Sequence, residues 1–140
     1  MTSSDEAGTD RGYPWSAYAA SEVHVDVDGR RMTASELARR LGDTVYAITA
    51  WNPMSVPTRP DQNALANHTL EEALEHAGAT IWPAVGAAED GSWSEEGFAV
   101  TGITEEEALR LGRRFAQLAI FRARDGALVV LECGGPSTRK

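Results

Sequence analysis

Hydrophobic and polar positions alternate most cleanly near the start of the chain. In Glu22-Val23-His24-Val25-Asp26-Val27-Asp28 the valines share one face and the acids and His24 the other, which predicts a half-buried strand closed by Asp28-Gly29. His24 is then an exposed strand residue. Thr33-Ala34-Ser35-Glu36 has the form of a capping box, so a helix is predicted to start there, turn Leu37 and Leu41 inward and stop at Gly42. The next stretch, Tyr46-Ala47-Ile48-Thr49-Ala50-Trp51, is mostly apolar on both faces. A strand over 45–52, covered on two sides, is expected, and Asn52-Pro53 ends it because proline has no donor for a ladder.

A proline-rich loop from Met54 to Pro60 leads to a second predicted helix, starting near Thr58 or Asp61 and ending by Gly78. At ~100° per residue, Asn67, Leu70, Leu74 and Ala77 all fall within about 40° of Asn63. Two asparagines therefore share the packing stripe with leucines, at the end nearest the proline loop. His68, Glu72 and His76 form a ridge on the other side and read as solvated surface. Residues 79–85 predict a strand, placed at a sheet edge by Pro83. An acidic loop over 86–92 follows, and Trp93 to Gly97 leads into a short strand at Phe98–Thr101. Thr104 and Glu107 form a second capping box for a helix burying Ala108, Leu111, Phe115 and Leu118, with Arg110, Arg113, Arg114 and Gln117 facing away. Asp125-Gly126 between two apolar runs predicts a C-terminal β-hairpin. The expected fold is α+β: one two- or three-layer domain over 12–133, with a mixed sheet of about five to six strands and three helices. Residues 1–11 are expected to be a disordered tail, residues 12–18 an aromatic lead-in packed on the body, and 134–140 a flexible tail.

Composition narrows the function classes. The net charge of −8 argues against general nucleic-acid or anionic-membrane binding. The charge is uneven: residues 1–103 hold sixteen acids and six bases, residues 104–140 five acids and seven bases. A local basic patch fits this distribution and a basic domain does not. No apolar run is long enough for a membrane helix, and the polar, acidic N-terminus lacks the form of a secretory signal. One cysteine, Cys133, allows no internal disulfide and no multi-cysteine metal site, so a cytoplasmic protein with no metal or cofactor is expected. Twelve arginines against one lysine, with many alanines and glycines, fit a GC-rich bacterial coding sequence.

Several pieces in combination resemble the bacterial family known as domain of unknown function 3293. They are Ala17-Tyr18, Ile48-Thr49-Ala50-Trp51-Asn52-Pro53, Asn63, Trp93 with Glu95 and Glu96 before Phe98-Ala99-Val100-Thr101-Gly102, and Leu111-Gly112-Arg113-Arg114-Phe115-Ala116-Gln117. The resemblance spans roughly Tyr18 to Leu131. The chain departs from it at Ala116-Gln117-Leu118, where the family usually shows Gly-Gln-Asn. What the resemblance implies is a set of boundaries and recurrent polar positions, without an activity.

The polar residues that can meet are Thr49, Trp51, Asn52, Asn63, Asn67, Trp93, Glu95 and Glu96. Strand ends of this kind commonly hold ligand contacts. Asn63 and Asn67 either tie down the Met54–Pro60 loop or reach a ligand, since a buried amide must find partners. For Asn52 an Asx turn before Pro53 is the simple reading. Glu95 or Glu96 can serve as a general acid or base shielded by Trp93; successive carboxylates on an extended chain point oppositely, so at most one enters a pocket. Arg110, Arg113, Arg114 and Gln117 form a weaker anion-binding candidate, or a solvated helix face. Cys133 reads as a small apolar residue. The leading expectation is a binding or regulatory domain whose cleft holds a small polar metabolite or nucleotide. The alternatives are a small hydrolase or transferase using Glu95 or Glu96, and a protein-interaction module using the arginine face of residues 104–117.

Overall fold

The computed structural model describes residues 21–134, so the expectations for both tails and for the aromatic stretch at 12–18 lie outside the described residues. Seven strands and three α-helices follow one another: β1 (Ser21–Val27), β2 (Arg30–Thr33), α1 (Ala34–Leu41), β3 (Val45–Ile48), α2 (Pro60–His76), β4 (Thr80–Ala88), β5 (Ser94–Thr101), α3 (Glu105–Arg114), β6 (Ala119–Arg124) and β7 (Ala127–Glu132). They form one sheet in the order β2-β1-β4-β5-β3-β6-β7, in which every pair is antiparallel. The fold is α+β as expected, but the sheet is purely antiparallel and has more strands than predicted. The extra strand is β2. Asp28-Gly29 does not end the first strand in a loop; Asp28 and Gly29 both take positive φ and fold β1 back into a hairpin. Arg30-Arg31-Met32-Thr33 has only Met32 buried, too weak a pattern to read as a strand.

The alternation of β3 works as the sequence requires. Val45 and Ala47 enter one core with α1, while Tyr46, Ile48 and Ala50 enter a second core with Leu70, Leu74 and Ala108 of α2 and α3. The helix α1 touches β2 and β1 near one end of the strand order and β6 and β7 at the other, which requires the sheet to curl around it. The layers are thus α1 in the trough, the sheet, and α2 with α3 on the outer face. Leu37 is buried as predicted, whereas Leu41 is 45% exposed because the helix ends there at the left-handed Gly42. Thr33 caps α1 by accepting from the Glu36 N–H, and the Glu36 carboxylate turns to Arg40 one turn on.

Two predicted elements differ in ways that bear on function. The strand containing Pro83 is interior, between β1 and β5, and not at an edge. Pro83 lies one residue beyond the last β1 pair, Val25–Ala84, where the ladder to β1 has stopped. Second, β5 begins at Ser94, so Glu95 and Glu96 are strand residues paired with Gly86 and Val85 and not a loop entering the strand. β4 and β5 make one long hairpin, with Gly91 at φ 77° in its turn.

α3 opens with the predicted capping box, Thr104 and Glu107 bonding reciprocally. It closes in a Schellman turn, in which the Gln117 N–H reaches the Gly112 carbonyl and the Ala116 N–H reaches that of Arg113, with Ala116 at φ 58°. That left-handed position favours glycine. An Ala116→Gly substitution is therefore expected to raise stability by about 1 kcal/mol, measured by equilibrium urea unfolding.

Candidate functional site

β3 stops at Ile48, paired with Phe98, and the chain then leaves the sheet. Gly97 marks the crossing: a Cβ there would lie 2.9 Å from the Thr49 Cα. Backbone donors leaving a ladder in a buried region need new acceptors. Side chains supply them in sequence. The Ala50 N–H donates to Asn67 Oδ1 at 2.9 Å, the Trp51 N–H to Thr49 Oγ1 at 3.0 Å, the Asn52 N–H to Asn63 Oδ1 at 2.9 Å and the Thr58 N–H to Asn52 Oδ1 at 2.9 Å. The amide nitrogens are used as well. Asn67 Nδ2 donates to the Glu96 carbonyl at 2.9 Å, the Thr49 hydroxyl donates to the same carbonyl at 2.5 Å, and Asn63 Nδ2 donates to Asn52 Oδ1 at 3.0 Å and the Thr58 carbonyl at 3.3 Å.

Asn63 and Asn67 are buried on the first turns of α2, on the stripe with Leu70 and Leu74. Both ends of each amide are spent on backbone and on Asn52. Asn63 reaches the Met54–Pro60 loop at the Thr58 carbonyl, whereas the bonds of Asn67 go to Ala50 and Glu96, outside that loop. Asn52 takes φ 46° and makes no Asx turn into Pro53, because its oxygen reaches Thr58, six residues on. Left-handed Met54 is held at 2.7 Å from its amide to the carbonyl of left-handed Ala116. Gln117 does not accompany the arginines: α3 ends at Arg114, and Gln117 turns inward, donating from Nε2 to the Trp51 carbonyl at 3.0 Å and to the Phe115 carbonyl at 3.2 Å. It was the residue whose role the helical pattern hid, since the chain leaves the helix just before it.

The side-chain nitrogen of Asn52 is aimed at Glu95: Nδ2 to Oε2 is 3.1 Å. Asn63, Asn52 and Glu95 thus form a chain of hydrogen bonds from the start of α2 to β5. Glu95 faces the trough of the sheet, in the part α1 leaves unfilled, where a cavity of about 30 Å³ is lined also by Thr49, Trp93, Gly97, Phe98, Gln117 and Phe121. That volume holds about two waters or one small head group. Small residues at Ala47, Ala84, Gly86 and Ala119 leave it open. Burial pushes the Glu95 carboxyl above its ordinary pKa, and the Asn52 hydrogen bond only partly offsets that.

The sheet divides the predicted constellation. Thr49, Trp93, Glu95 and Gln117 line the trough cavity. Trp51, Asn67 and Glu96 line a separate, open groove on the outer face, about 460 Å³, beside His68, Glu71 and Asp26. Strand alternation explains the split of Glu95 from exposed Glu96. The arginines do not gather. Arg113 donates to the Cys133 carbonyl at 2.9 Å, Arg114 stacks on Phe115 at 5.2 Å, and Arg110 is exposed. Cys133 is buried beneath Gly112, its thiol pushed up to about 11 by burial. His68, Glu72 and His76 are exposed. Among the described residues no group of three His, Cys, Asp or Glu side chains could hold a metal, and no helix is long and apolar enough to cross a membrane.

Two outcomes follow from this geometry. Asn67→Ala strands the buried Ala50 N–H and should lower stability by about 1–3 kcal/mol in urea unfolding. Glu95 binds its proton more tightly folded than unfolded. Its protonated form therefore contributes stability that is full below the ordinary value of 4.5 and is lost as pH rises through the folded value. Glu95→Gln should accordingly raise the melting temperature near pH 7, with the gain shrinking towards zero below about pH 4.

The residues of this network, from Thr49 to Gln117, all fall within one match to known sequences. No curated protein and no solved structure matches the chain. A family model described as "Protein of unknown function (DUF3293)" matches residues 48–120, more than half of the sequence and the whole of the path from the end of β3 to the start of β6. The chain belongs to that family.

Proposed function

We propose that the chain is a small-ligand-binding or regulatory domain whose site is the trough cavity at Glu95, just beyond the end of β3. The observation that carries this reading is the half-committed carboxyl. One oxygen of Glu95 is fixed by Asn52, while Oε1 takes no hydrogen bond among the described residues, and the residue lines a cavity whose other lining is mostly apolar and aromatic. A buried charge without a partner costs stability, and a protein that keeps one gains something else from it. The asparagine network holds Asn52, and through it Glu95, in a fixed geometry, which lowers the ordering cost of binding. A cytoplasmic location is part of the proposal, on the single cysteine of the sequence.

The raised pKa of Glu95 also supports a second reading, a small hydrolase or transferase in which Glu95 is the general acid or base and Glu96, outside the cavity, takes no part. The two readings share one site and separate on turnover.

A thermal-shift screen of the full chain against metabolites and nucleotides tests the site. A stabilising ligand should lose its effect in Glu95→Ala and keep it in Glu96→Ala. A shift unchanged in Glu95→Ala, or abolished by Glu96→Ala alone, would overturn the assignment to the trough.

A further inference from the structure

We infer that the trough cavity selects a protonated amine: a primary ammonium head group donating to Glu95 Oε1 and Gln117 Oε1 with its carbon side against the aromatic wall. This inference deepens the reading of the cavity as a ligand site and rests on it. It comes from an inventory of donors and acceptors in the lining. The Thr49 hydroxyl hydrogen is spent on the Glu96 carbonyl, and its oxygen accepts from the Trp51 N–H. Gln117 Nε2 is spent on two carbonyls, and Asn52 Nδ2 on Glu95 Oε2. The side-chain atoms of Glu95 and Gln117 that take no hydrogen bond among the described residues are Oε1 of each, and both are acceptors. A ligand that engages these two oxygens must therefore bring donors.

Charge sharpens the choice from any donor to a cation. Among the described residues Glu95 is the only charged one lining the cavity, and no lysine, arginine or histidine of them pairs with it. A desolvated carboxylate of this kind is completed either by a proton or by a cation. Trp93 and Phe121 line the same space, and aromatic side chains favour an ammonium over a neutral hydroxyl, while Phe98 borders it from the strand and packs its side chain against the outer core. Size then excludes bulk. A space of about 30 Å³ admits a –CH2–NH3+ terminus and leaves the rest of the ligand at the mouth. An anionic group, a nucleotide phosphate included, would meet two acceptors and a like charge.

The test is a 1H–15N NMR titration of the full chain with methylammonium chloride, against methanol and sodium acetate as neutral and anionic probes of similar size. Saturable shifts at the Gly97 amide and Trp93 indole with methylammonium alone are expected. Affinity should fall towards tenfold per pH unit once Glu95 protonates, since the proton and the amine compete for one oxygen. Glu95→Gln, which keeps an oxygen for Asn52, should weaken binding by about tenfold or more. Equal binding of methanol, or binding of acetate, would overturn the amine assignment and leave the cavity a ligand site. Shifts at neither reporter with any of the three probes would overturn both. Undiminished methylammonium binding in a folded Glu95→Gln protein, or binding independent of pH, would overturn the role of the carboxylate.

Discussion

The rest of the site depends on one constraint, that backbone donors cannot be left unpaired where a central strand ends inside the protein. β3 is flanked by β5 and β6 and covered on both faces, so the chain leaving it at Thr49 is still among buried groups. The chain crosses close to Gly97 at Thr49, where a side chain on residue 97 would not fit, and the departing amides are satisfied by side chains. Asparagine suits the task because one amide offers an acceptor and two donors on a short, stiff arm. Placing Asn63 and Asn67 on the packing stripe of α2 lets the same helix fill the outer core with Leu70 and Leu74 and close the end of the strand.

That solution determines what the neighbouring side chains can do. With its oxygen shared between Thr58 and Asn63, Asn52 has only a donor to give, and it gives it to Glu95. Gln117 likewise spends its nitrogen on holding the Trp51 carbonyl. Pinning the loop from both sides thus leaves Oε1 of Glu95 and of Gln117, both acceptors, without a hydrogen bond among the described residues. The curl of the sheet around α1 adds the cavity, because α1 fills only part of the concave face and the strands beyond it carry alanine and glycine. Burial there raises the pKa of the Glu95 carboxyl, and no cation among the described residues pairs with it. Strain is concentrated in the same place: Asn52, Met54 and Ala116 all take left-handed conformations within this hydrogen-bonded cluster.

Much of this was legible in the residues because it is local. Alternation located β1 and β3, the capping residues located α1 and α3, and Asp125-Gly126 located the last hairpin, since each signal acts within a few positions. The stripe angle on α2 identified Asn63 and Asn67 as inward polar residues, and alternation required that Glu95 and Glu96 part company. β2 was missed because an exposed, arginine-rich strand has no hydrophobic period. Pro83 suggested an edge because a missing donor is costly only where a ladder runs, and where the β1 ladder stops is a fact about another strand.

The sequence by itself determined the elements, the α+β class and which side chains must be satisfied inside the fold. Only the tertiary structure decided who satisfies them. Those pairings join residues as far apart as Trp51 and Gln117, and they depend on strand order and on the curl of the sheet, to which no short-range pattern is sensitive. The same curl put Glu95 in the trough and Glu96, one residue on, in the groove of the outer face. The physical reason is that periodicity fixes which face a residue takes, whereas the surroundings of that face are made by elements distant in the chain.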